Sequence, residues 1–230
     1  MSAYVSEIYS SIQGEGPYTG EPQIFVRLAG CPLRCDYCDT PDSLTVKGHS
    51  KLSADQVCKE VGRLAKSEKI KTVSVTGGEP LAHVLFLKEL LPLLKKKGLN
   101  IYLETAGIHP DALKKVIQFV DVVSMDMKLP SATRKSFWKQ HEAFLEIAQQ
   151  KAFVKIVIEE HSKDEEVDQA LSILSKRKTP PRLVLQPVTS IGPDIVPPTP
   201  ERLSFLFSRA KAKMPEVFIM PQQHKIWGVR

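Results

Sequence analysis

Residues 24–40 read IFVRLAGCPLRCDYCDT, an apolar run typical of a strand followed directly by a loop with three cysteines. Cys31, Cys35 and Cys38 have the spacing C-x3-C-x2-C. Three thiolates from one short loop can bind three irons of a 4Fe–4S cube, because each of these irons needs one sulfur ligand from the protein. The fourth iron is left with an open position, and open metal positions bind substrates or cofactors. This stretch therefore predicts an iron–sulfur centre at the end of a strand.

A structural zinc site is the alternative interpretation of these cysteines. It would need a fourth ligand, such as Cys58 or His49. Structural zinc sites usually combine two C-x2-C pairs, which this sequence lacks, so the cluster is favoured. We expect Cys58, inside a predicted helix, to be a small buried apolar residue. A disulfide framework is excluded because it would need an even set of cysteines spread through a small secreted chain.

The composition excludes several whole-chain classes. Of 230 residues, 42% are hydrophobic and 25% are charged, which argues against a disordered, collagen-like or coiled-coil chain. No window approaches the roughly 18 apolar residues of a membrane helix, and the N-terminus does not resemble a secretory signal. We therefore expect a cytoplasmic protein without a membrane segment. The net charge of +6 is compatible with an anionic ligand, but the basic residues are scattered and predict no nucleic-acid surface.

Strand-like and helix-like segments alternate along the chain. Runs rich in valine and isoleucine predict parallel strands at 24–28, 72–76, 100–104, 120–126, 153–158, 183–187 and 217–220. Ser53, Ser162 and Thr199 are predicted N-caps of helices, and further helices are expected at 82–97, 111–119 and 133–150. Repeated strand–helix units favour an α/β fold with a modified, incomplete (β/α) barrel, one domain over residues 1–230 and chemistry at the carboxyl ends of the strands.

A second motif follows the second of these strands, where residues 76–80 read TGGEP. Two glycines allow the backbone to approach a ligand closely, and Glu79 offers an acceptor for an ammonium group. Together with the cysteine loop one strand–helix unit earlier, this motif resembles the radical S-adenosylmethionine (SAM) superfamily. The resemblance implies a partial TIM barrel, a 4Fe–4S cluster held by Cys31, Cys35 and Cys38, and SAM bound at the fourth iron, where the cluster reduces it to a 5′-deoxyadenosyl radical.

The same resemblance implies a set of SAM-binding residues. Tyr37 would pack beside the adenine, and Gly78 and Glu79 would hold the amino group. Segments at later strand ends would reach the ribose and carboxylate, although residues 124–128 are longer than the short S-x-K form of the family, which leaves open which of them contacts SAM. The full set is Tyr37, Cys38, Asp39, Gly78, Glu79, Ser124, Asp126, Lys128, Gln186 and Thr189.

Further elements resemble the 7-carboxy-7-deazaguanine synthase (QueE) family over residues 12–230. They are IQGEG at residues 12–16, Arg27, CDT at 38–40 and QHK at 223–225. The resemblance implies SAM- and Mg²⁺-dependent ring contraction of 6-carboxy-5,6,7,8-tetrahydropterin to 7-carboxy-7-deazaguanine plus ammonia, a step that feeds queuosine and other 7-deazapurines. It also implies a homodimer and an electron donor such as flavodoxin.

By this resemblance Thr40 would bind Mg²⁺, and the C-terminal tail would fold back over the active site. Arg27 would bind the substrate carboxylate, a role that suits a planar guanidinium because it donates two parallel hydrogen bonds. The substrate-binding residues would be Ile12, Gln13, Gly14, Arg27, Thr76, His224 and Arg230.

Two other functions remain open at this point. An activating enzyme for a glycyl radical protein would share the cysteine loop and TGGEP but not IQGEG or Arg27. A zinc-stabilised RNA-binding module would need aromatic platforms interleaved with basic residues, and at 7% aromatic content this chain shows no such motif. The sequence does not identify the downstream pathway, which could lead to queuosine, archaeosine or a secondary metabolite, nor does it identify the physiological reductant.

Overall fold

The computed structural model describes residues 1–190 and 192–229. Its strands are β1 (Ser2–Ile12), β2 (Pro22–Leu28), β3 (Ser50–Ser53), β4 (Thr72–Gly77), β5 (Asn100–Thr105), β6 (Val122–Asp126), β7 (Ala152–Ile158), β8 (Leu183–Pro187) and β9 (Val217–Ile219). Its helices are α1 (Ala54–Glu68), α2 (Val84–Lys96), α3 (Pro110–Val116), α4 (Pro130–Thr133), α5 (Trp138–Ala148), α6 (Asp164–Ser175), α7 (Pro200–Lys211) and α8 (Gln223–Trp227). In this part of the chain no helix has the length and apolar character needed to cross a bilayer.

All strands belong to one sheet of order β3-β1-β2-β4-β5-β6-β7-β8-β9. From β2 to β9 along this order the neighbours are parallel, whereas β1 is antiparallel to both β2 and β3. The order runs from β3 at one edge to β9 at the other, so the sheet does not close. The predicted incomplete barrel is confirmed. The sequence analysis missed β1 and β3, because a half-exposed antiparallel strand such as SAYVSEIYSSI lacks the continuous apolar run of a buried parallel strand.

Two of the three predicted N-caps are confirmed. Ser53 and Gln56 form a complete capping box at the start of α1, and the hydroxyl of Thr199 accepts from the backbone N–H of Arg202 at 3.2 Å. The prediction for Ser162 was wrong, since α6 begins at Asp164 after Lys163. The Ser162 hydroxyl instead accepts from the backbone N–H of Glu159 at 2.9 Å, which closes the turn before the helix.

The helix predicted over residues 133–150 begins later than expected, since α5 covers Trp138–Ala148. A break separates it from the short helix α4, which ends at Arg134 in a left-handed conformation with φ of 56°. The guanidinium of Arg134 pairs with Asp36 of the cysteine loop at 2.8 Å. The break therefore places the end of α4 against the loop that carries the cysteines.

The two faces of the parallel strands carry different residues. Outward side chains such as Val75, Leu103 and Ile156 are fully buried in the main apolar core, against the helices. Inward residues begin with an aromatic layer in which Tyr102 and Phe153 pack with ring centroids 6.3 Å apart. Two residues further along their strands come the polar residues Glu104 and Lys155, which line a cavity. The alternation of a strand thus places apolar and polar neighbours on opposite faces.

Candidate active site

A cavity of about 300 Å³ opens at the carboxyl ends of the parallel strands. Its walls come from the end of β1, the cysteine loop, the turn after β4, the ends of β5 to β8 and residues 222–225. It brings together most residues named from the sequence: Ile12, Gln13, Gly14, Arg27, Cys31, Cys35, Tyr37, Cys38, Asp39, Thr40, Thr76, Gly78, Ser124, Asp126, Lys128, Gln186, Thr189 and His224. Glu79 is not among the lining residues, and Arg230 lies outside the described residues.

The three loop cysteines are free thiols, each partly exposed and each facing the cavity. Burial raises the pKa of Cys31 to about 11 and also raises the pKa of Cys35, so these thiols favour the protonated form until a metal centre supplies positive charge. Within the described residues, the one trio of potential ligands with atoms all within 4.8 Å of one another lies elsewhere in the cavity. The three loop thiols do not form such a trio.

The zinc alternative loses both of its proposed fourth ligands. Cys58 is buried in α1 as part of the main apolar core, as predicted for a small apolar residue. The His49 ring donates from Nε2 to the carbonyl oxygen of Asp42 at 2.8 Å. Neither residue lines the cavity that contains the three loop cysteines.

The two glycines of TGGEP bring the turn after β4 against the cysteine loop. The backbone N–H of Gly78 donates to the carbonyl of Leu28 at 2.9 Å, and that of Glu79 donates to the carbonyl of Gly30 at 3.1 Å. A Cβ at Gly77 would lie 2.0 Å from the Leu28 carbonyl oxygen, and the φ of Gly77 is +132°. Only glycine fits here. We expect these glycines to let the backbone approach a ligand. In the structure they also let the turn after β4 approach the start of the cysteine loop.

Glu79, expected from the resemblance to accept from the SAM amino group, is not among the residues that line the cavity. The residue is fully buried. Its carboxylate accepts from the backbone N–H groups of Leu81 at 3.0 Å and Ala106 at 2.8 Å, and from the Thr105 hydroxyl at 2.7 Å. Burial raises the pKa of Glu79, although these hydrogen bonds oppose the rise. In this position the carboxylate ties the turn after β4 to the end of β5.

Six charged side chains and one amide cross the cavity in a continuous series, which we call the ionic row. In order its members are Lys225, Asp39, Gln222, Glu15, Lys155, Asp126 and Lys128. Three carboxylates and three ammonium groups balance, so the row is neutral overall. Buried charges are costly unless they are paired, and here each charge contacts a partner within the row.

The inner half of the ionic row joins the loop after β1 to β6 and β7. Lys155 donates to the carboxylate of Glu15, and its Nζ lies 3.6 Å from Oδ2 of Asp126. The same Oδ2 accepts from Lys128 at 2.8 Å. Burial opposes ionisation of Asp126, but the ammonium groups of Lys128 and Lys155 outweigh it and lower its pKa. For both lysines the carboxylates likewise overcome burial and raise the pKa.

The outer half of the ionic row connects residues 222–229, which we call the tail segment, to the cavity. The Gln222 amide nitrogen donates to Glu15 at 2.7 Å and to Asp39 at 2.9 Å, so an uncharged donor separates two carboxylates. Lys225 pairs with Asp39 at 3.3 Å. Burial would raise the pKa of Asp39, but the hydrogen bond from Gln222 and the charge of Lys225 lower it.

Gly14 is the point at which the tail segment rests on the loop after β1. The backbone N–H of Gln223 donates to the carbonyl of Gly14 at 2.9 Å. A Cβ on Gly14 would lie 2.3 Å from Nδ1 of His224. The missing side chain of Gly14 therefore makes room for the His224 ring, which lines the cavity at this place.

Two groups of potential ligand atoms in the cavity could hold a cation. The hydroxyl of Thr40 lies 3.3 Å from the hydroxyl of Ser43 and lines the cavity next to Asp39. Glu15, Asp39 and His224 form the trio with ligand atoms within 4.8 Å of one another. Mg²⁺ prefers oxygen ligands and keeps several waters, which suits the hydroxyl and carboxylates on this side of the cavity.

Arg27 is anchored in the cavity wall by residues of β1. Its Nε donates to Glu7 at 2.7 Å, and its Nη2 donates to the hydroxyl of Tyr9 at 3.0 Å. Burial opposes the charge, but the interactions with Tyr9, Glu7 and Glu104 raise the pKa of Arg27. A cation held this way keeps its charge inside the cavity and has a fixed orientation for an anionic group.

Glu104 organises the adjoining part of the wall through three donors. It accepts from Gln13 at 3.0 Å, from Ser74 at 3.1 Å and from Thr76 at 2.8 Å. The Gln13 side-chain oxygen also accepts from the backbone N–H of Glu15 at 3.0 Å. The side chains of Gln13 and Thr76, both named from the sequence as substrate-binding residues, are thus held in place by this carboxylate.

Tyr37, within the cysteine loop, is buried in an apolar cluster that includes Val157 and Val188. The Lys128 ammonium lies 5.0 Å from the centroid of its ring, within the range of a cation–π contact. The Tyr37 ring, which is predicted to pack beside the adenine of SAM, therefore contacts Lys128 at the end of the ionic row.

Several cavity residues were missed by the sequence analysis. Lys155 had a visible signal, because it is the one charged residue in the strand AFVKIVI, which is otherwise apolar and buried throughout. Glu15 lay inside a quoted motif but was given no role. Glu104 stood out only as a charged residue at a strand end and was given no role, and Gln222 had no local signal, since its significance depends on partners that are distant in sequence.

Comparison with known proteins finds the same superfamily and the same family of relatives. Residues 26–178 match the Radical SAM superfamily. The 7-carboxy-7-deazaguanine synthase of Geobacter sulfurreducens is 37% identical over 98% of this chain and 97% of its own length. The protein of the same name from Methanopyrus kandleri is 34% identical over 96% of this chain and 92% of its own length.

A solved structure supports the fold independently. The crystal structure of QueE from Escherichia coli matches with a TM-score of 0.67 over 97% of this chain and 95% of that chain, at 24% identity. At this identity the match concerns the fold alone. Membership of the superfamily implies a 4Fe–4S cluster and SAM as cofactors, and the three cavity-facing thiols fit that cluster. From its sequence relatives and its superfamily match, the chain belongs to the 7-carboxy-7-deazaguanine synthase family of radical SAM enzymes.

Proposed function

We propose that this protein converts 6-carboxy-5,6,7,8-tetrahydropterin into 7-carboxy-7-deazaguanine and ammonia in a SAM- and Mg²⁺-dependent reaction. The observation that carries the proposal is the convergence of Gln13, Gly14, Arg27 and His224 on the cavity that contains the three cysteines. These residues come from separate parts of the chain, and the resemblance to the family depends on the elements that contain them. An activating enzyme for a glycyl radical protein is not favoured, because it would not need them.

Each wall of the cavity contributes one part of the mechanism. When bound, the cluster and SAM supply a 5′-deoxyadenosyl radical. Arg27, anchored by Glu7 and Tyr9, binds the carboxylate of the pterin through its guanidinium. The carboxylate of Glu104 fixes Gln13 and Thr76 along the pterin ring. Such preorganised groups hold the reacting carbon in one orientation toward the radical.

We further propose that Thr40 binds Mg²⁺ and that Arg230 contacts the pterin. The Thr40 hydroxyl lines the cavity beside Asp39, which supports the first assignment. The second is supported by the tail segment, which contacts Gly14, Glu15 and Asp39.

The remaining assignments belong to the same proposal. We expect one domain over residues 1–230, a homodimer, a cytoplasmic location, a flavodoxin-like electron donor and a product that enters 7-deazapurine synthesis such as that of queuosine. The family relationship supports these assignments.

The direct test is an anaerobic assay of the reconstituted holoenzyme with 6-carboxytetrahydropterin, SAM and a chemical reductant. We expect 7-carboxy-7-deazaguanine by mass spectrometry, with one equivalent of ammonia and stimulation by Mg²⁺. Arg27→Lys should raise KM for the pterin while cluster content stays the same, because a point charge cannot replace the two-pronged guanidinium. Absence of product from a holoenzyme that cleaves SAM would refute the proposed function.

The Mg²⁺ assignment has a matched pair of variants. Thr40→Val keeps the shape of the side chain and removes the hydroxyl, so it should weaken the Mg²⁺ response without altering iron content. Thr40→Ser keeps the hydroxyl and should retain the response. An unchanged Mg²⁺ response in Thr40→Val would contradict this role.

A further inference from the structure

Lys155 lies between the two parts of the cavity that the proposed function assigns to different ligands. On one side is Glu15, in the loop after β1 that carries the expected pterin-binding residues Gln13 and Gly14. On the other side is Asp126, which pairs with Lys155 across the β6–β7 ladder and precedes Lys128, both expected to bind SAM. No other ammonium group in the ionic row contacts carboxylates of both parts.

The position of Lys155 between these carboxylates is asymmetric. Its Nζ donates to Glu15, while Oδ2 of Asp126 lies 3.6 Å away, about 0.8 Å beyond a charged hydrogen bond. Asp126 has room for a further donor, because its Oδ1 is buried and has no hydrogen-bond partner among the described residues. Its Oδ2 already accepts from Lys128 at 2.8 Å. A small side-chain movement would therefore transfer Lys155 from Glu15 to Asp126.

We propose that Lys155 is a positioning residue through which pterin binding and SAM binding are coupled; this inference rests on the proposed function. The N–H donors of the pterin engage Glu15, and the Lys155 ammonium then turns to Asp126. Once Asp126 is neutralised by Lys155, Lys128 is held less tightly and is available for the SAM carboxylate. Pterin binding thereby raises the affinity for SAM, and by thermodynamic reciprocity SAM raises the affinity for pterin.

The chemistry of the strand supports a specific role for the ammonium group. β7 is buried along its whole length, and a lysine at its centre requires a paired carboxylate for its stability. A single partner would satisfy that requirement, yet two carboxylates from different ligand regions face this lysine. A group with one charge and two competing partners can be shifted by any ligand that binds one of them.

The test measures SAM affinity of the reconstituted holoenzyme by anaerobic equilibrium dialysis, with and without 6-carboxytetrahydropterin. We expect pterin to tighten SAM binding by about tenfold in the wild-type protein. In Lys155→Gln the change should fall below about twofold, since an uncharged amide cannot transfer charge between the carboxylates. Lys155→Arg should restore part of it. Lys95→Gln, which alters a surface pair with Asp121, is the matched control and should behave as wild type.

A second variant separates this role from a structural one. Glu15→Gln removes the competing charge, so Lys155 should turn to Asp126 even without pterin. We expect this variant to bind SAM in the absence of pterin nearly as tightly as the wild type does in its presence. A merely structural Glu15–Lys155 pair would give weaker or unchanged SAM binding. The Glu15→Gln variant therefore still tests the coupling if Lys155→Gln fails to hold its cluster.

The outcomes are distinguishable from those that test the proposed function. Turnover of pterin by a wild-type enzyme whose SAM affinity does not respond to pterin would overturn the coupling and leave the function intact. Equal coupling in the wild type and Lys155→Gln, or unchanged SAM affinity in Glu15→Gln, would also overturn it. A wild-type holoenzyme that binds SAM but neither binds nor converts pterin would refute the function itself.

Discussion

On the outer face of the parallel strands, side chains such as Leu103 and Ile156 are apolar and fully buried against helices, whereas their neighbours Glu104 and Lys155 line the cavity with charge. The two faces are separated by one step along the same strand. The outer face contributes burial of apolar area, which stabilises the fold. The inner face carries charged groups that line a cavity, and each of these buried charges needs a partner. Alternate residues of a strand therefore serve stability and the active site. Substitutions on the outer face should lower the free energy of unfolding, and substitutions on the inner face should change activity.

The largest expected contrast concerns the cysteines on the two sides of the sheet. Cys31→Ala, Cys35→Ala and Cys38→Ala should each abolish SAM cleavage, because a cluster ligand is lost. Cys58→Ala, in the apolar layer of α1, should leave cleavage nearly intact. Iron content and 5′-deoxyadenosine formation are the measurements. Substantial SAM cleavage by any of the three loop variants would contradict the cluster assignment.

Adjacent residues of β5 sharpen the comparison. Leu103→Ala should lower the free energy of unfolding by about 2–5 kcal/mol, since it leaves a cavity in the main core. Glu104→Gln should cost less stability, about 1–2 kcal/mol, but should raise KM for the pterin because Gln13 and Thr76 lose their shared carboxylate. Denaturant unfolding and steady-state kinetics measure the two effects. The comparison fails if Glu104→Gln proves the more destabilising variant or leaves KM unchanged.

His141 is a polar residue in the otherwise apolar helical layer, and the effect of its burial on the free energy of unfolding should depend on pH. The ring is fully buried in α5, and burial lowers its pKa to about 4 despite a hydrogen bond from Nε2 to the Ala106 carbonyl at 3.2 Å. In the unfolded chain the ring takes up its proton near pH 6.5. Between these pH values the unfolded state binds more protons, so stability falls as pH drops.

We expect the His141 ring to account for about 3 kcal/mol of stability lost between pH 7 and pH 4. His141→Leu should remove this part of the pH dependence and leave that of the carboxylates. Unfolding free energies of both proteins across this range provide the measurement, and parallel curves for the two would show that the ring does not contribute.

The smallest expected effect is at the contact between the tail segment and the loop after β1. Gly14→Ala places a methyl group against the His224 ring and should displace the tail, raising KM for the pterin by roughly tenfold, which corresponds to about 1.4 kcal/mol. Gly192→Ala is the matched control, because a Cβ there meets no atom within 4 Å. Cluster content should be normal in both. Similar KM values for the two variants would mean that the tail position does not matter for the substrate.

The outer face was the part of the fold that the sequence predicted well. Continuous apolar runs identified all the strands from β4 to β9, and the serine and threonine caps identified the starts of α1 and α7. β1 escaped notice because an antiparallel strand with an exposed face carries no such run. At the break between α4 and α5, Arg134 pairs with Asp36, a residue 98 positions away that no local pattern connects to it.

The inner face could be predicted only where a motif marks it. The cysteine spacing and TGGEP identified their loops, but the buried orientation of Glu79 follows from donors in β5 that the motif does not contain. The pair formed by Glu15 and Lys155 spans 140 residues, and the tail contacts are longer still. Charged residues so far apart in sequence are brought together only when the sheet folds, so local sequence patterns do not predict these pairs.

The docking of the tail segment has a consequence for the order of events during protein synthesis. Asp39 and its partner Gln222 are 183 residues apart. At a ribosomal speed of 5–20 residues per second, the second leaves the catalytic centre of the ribosome about 10–40 s after the first. Throughout this interval the cysteine loop exists without the wall that Gln222, His224 and Lys225 later provide. The nascent chain therefore passes through a period in which its thiols are more accessible than they are in the finished protein.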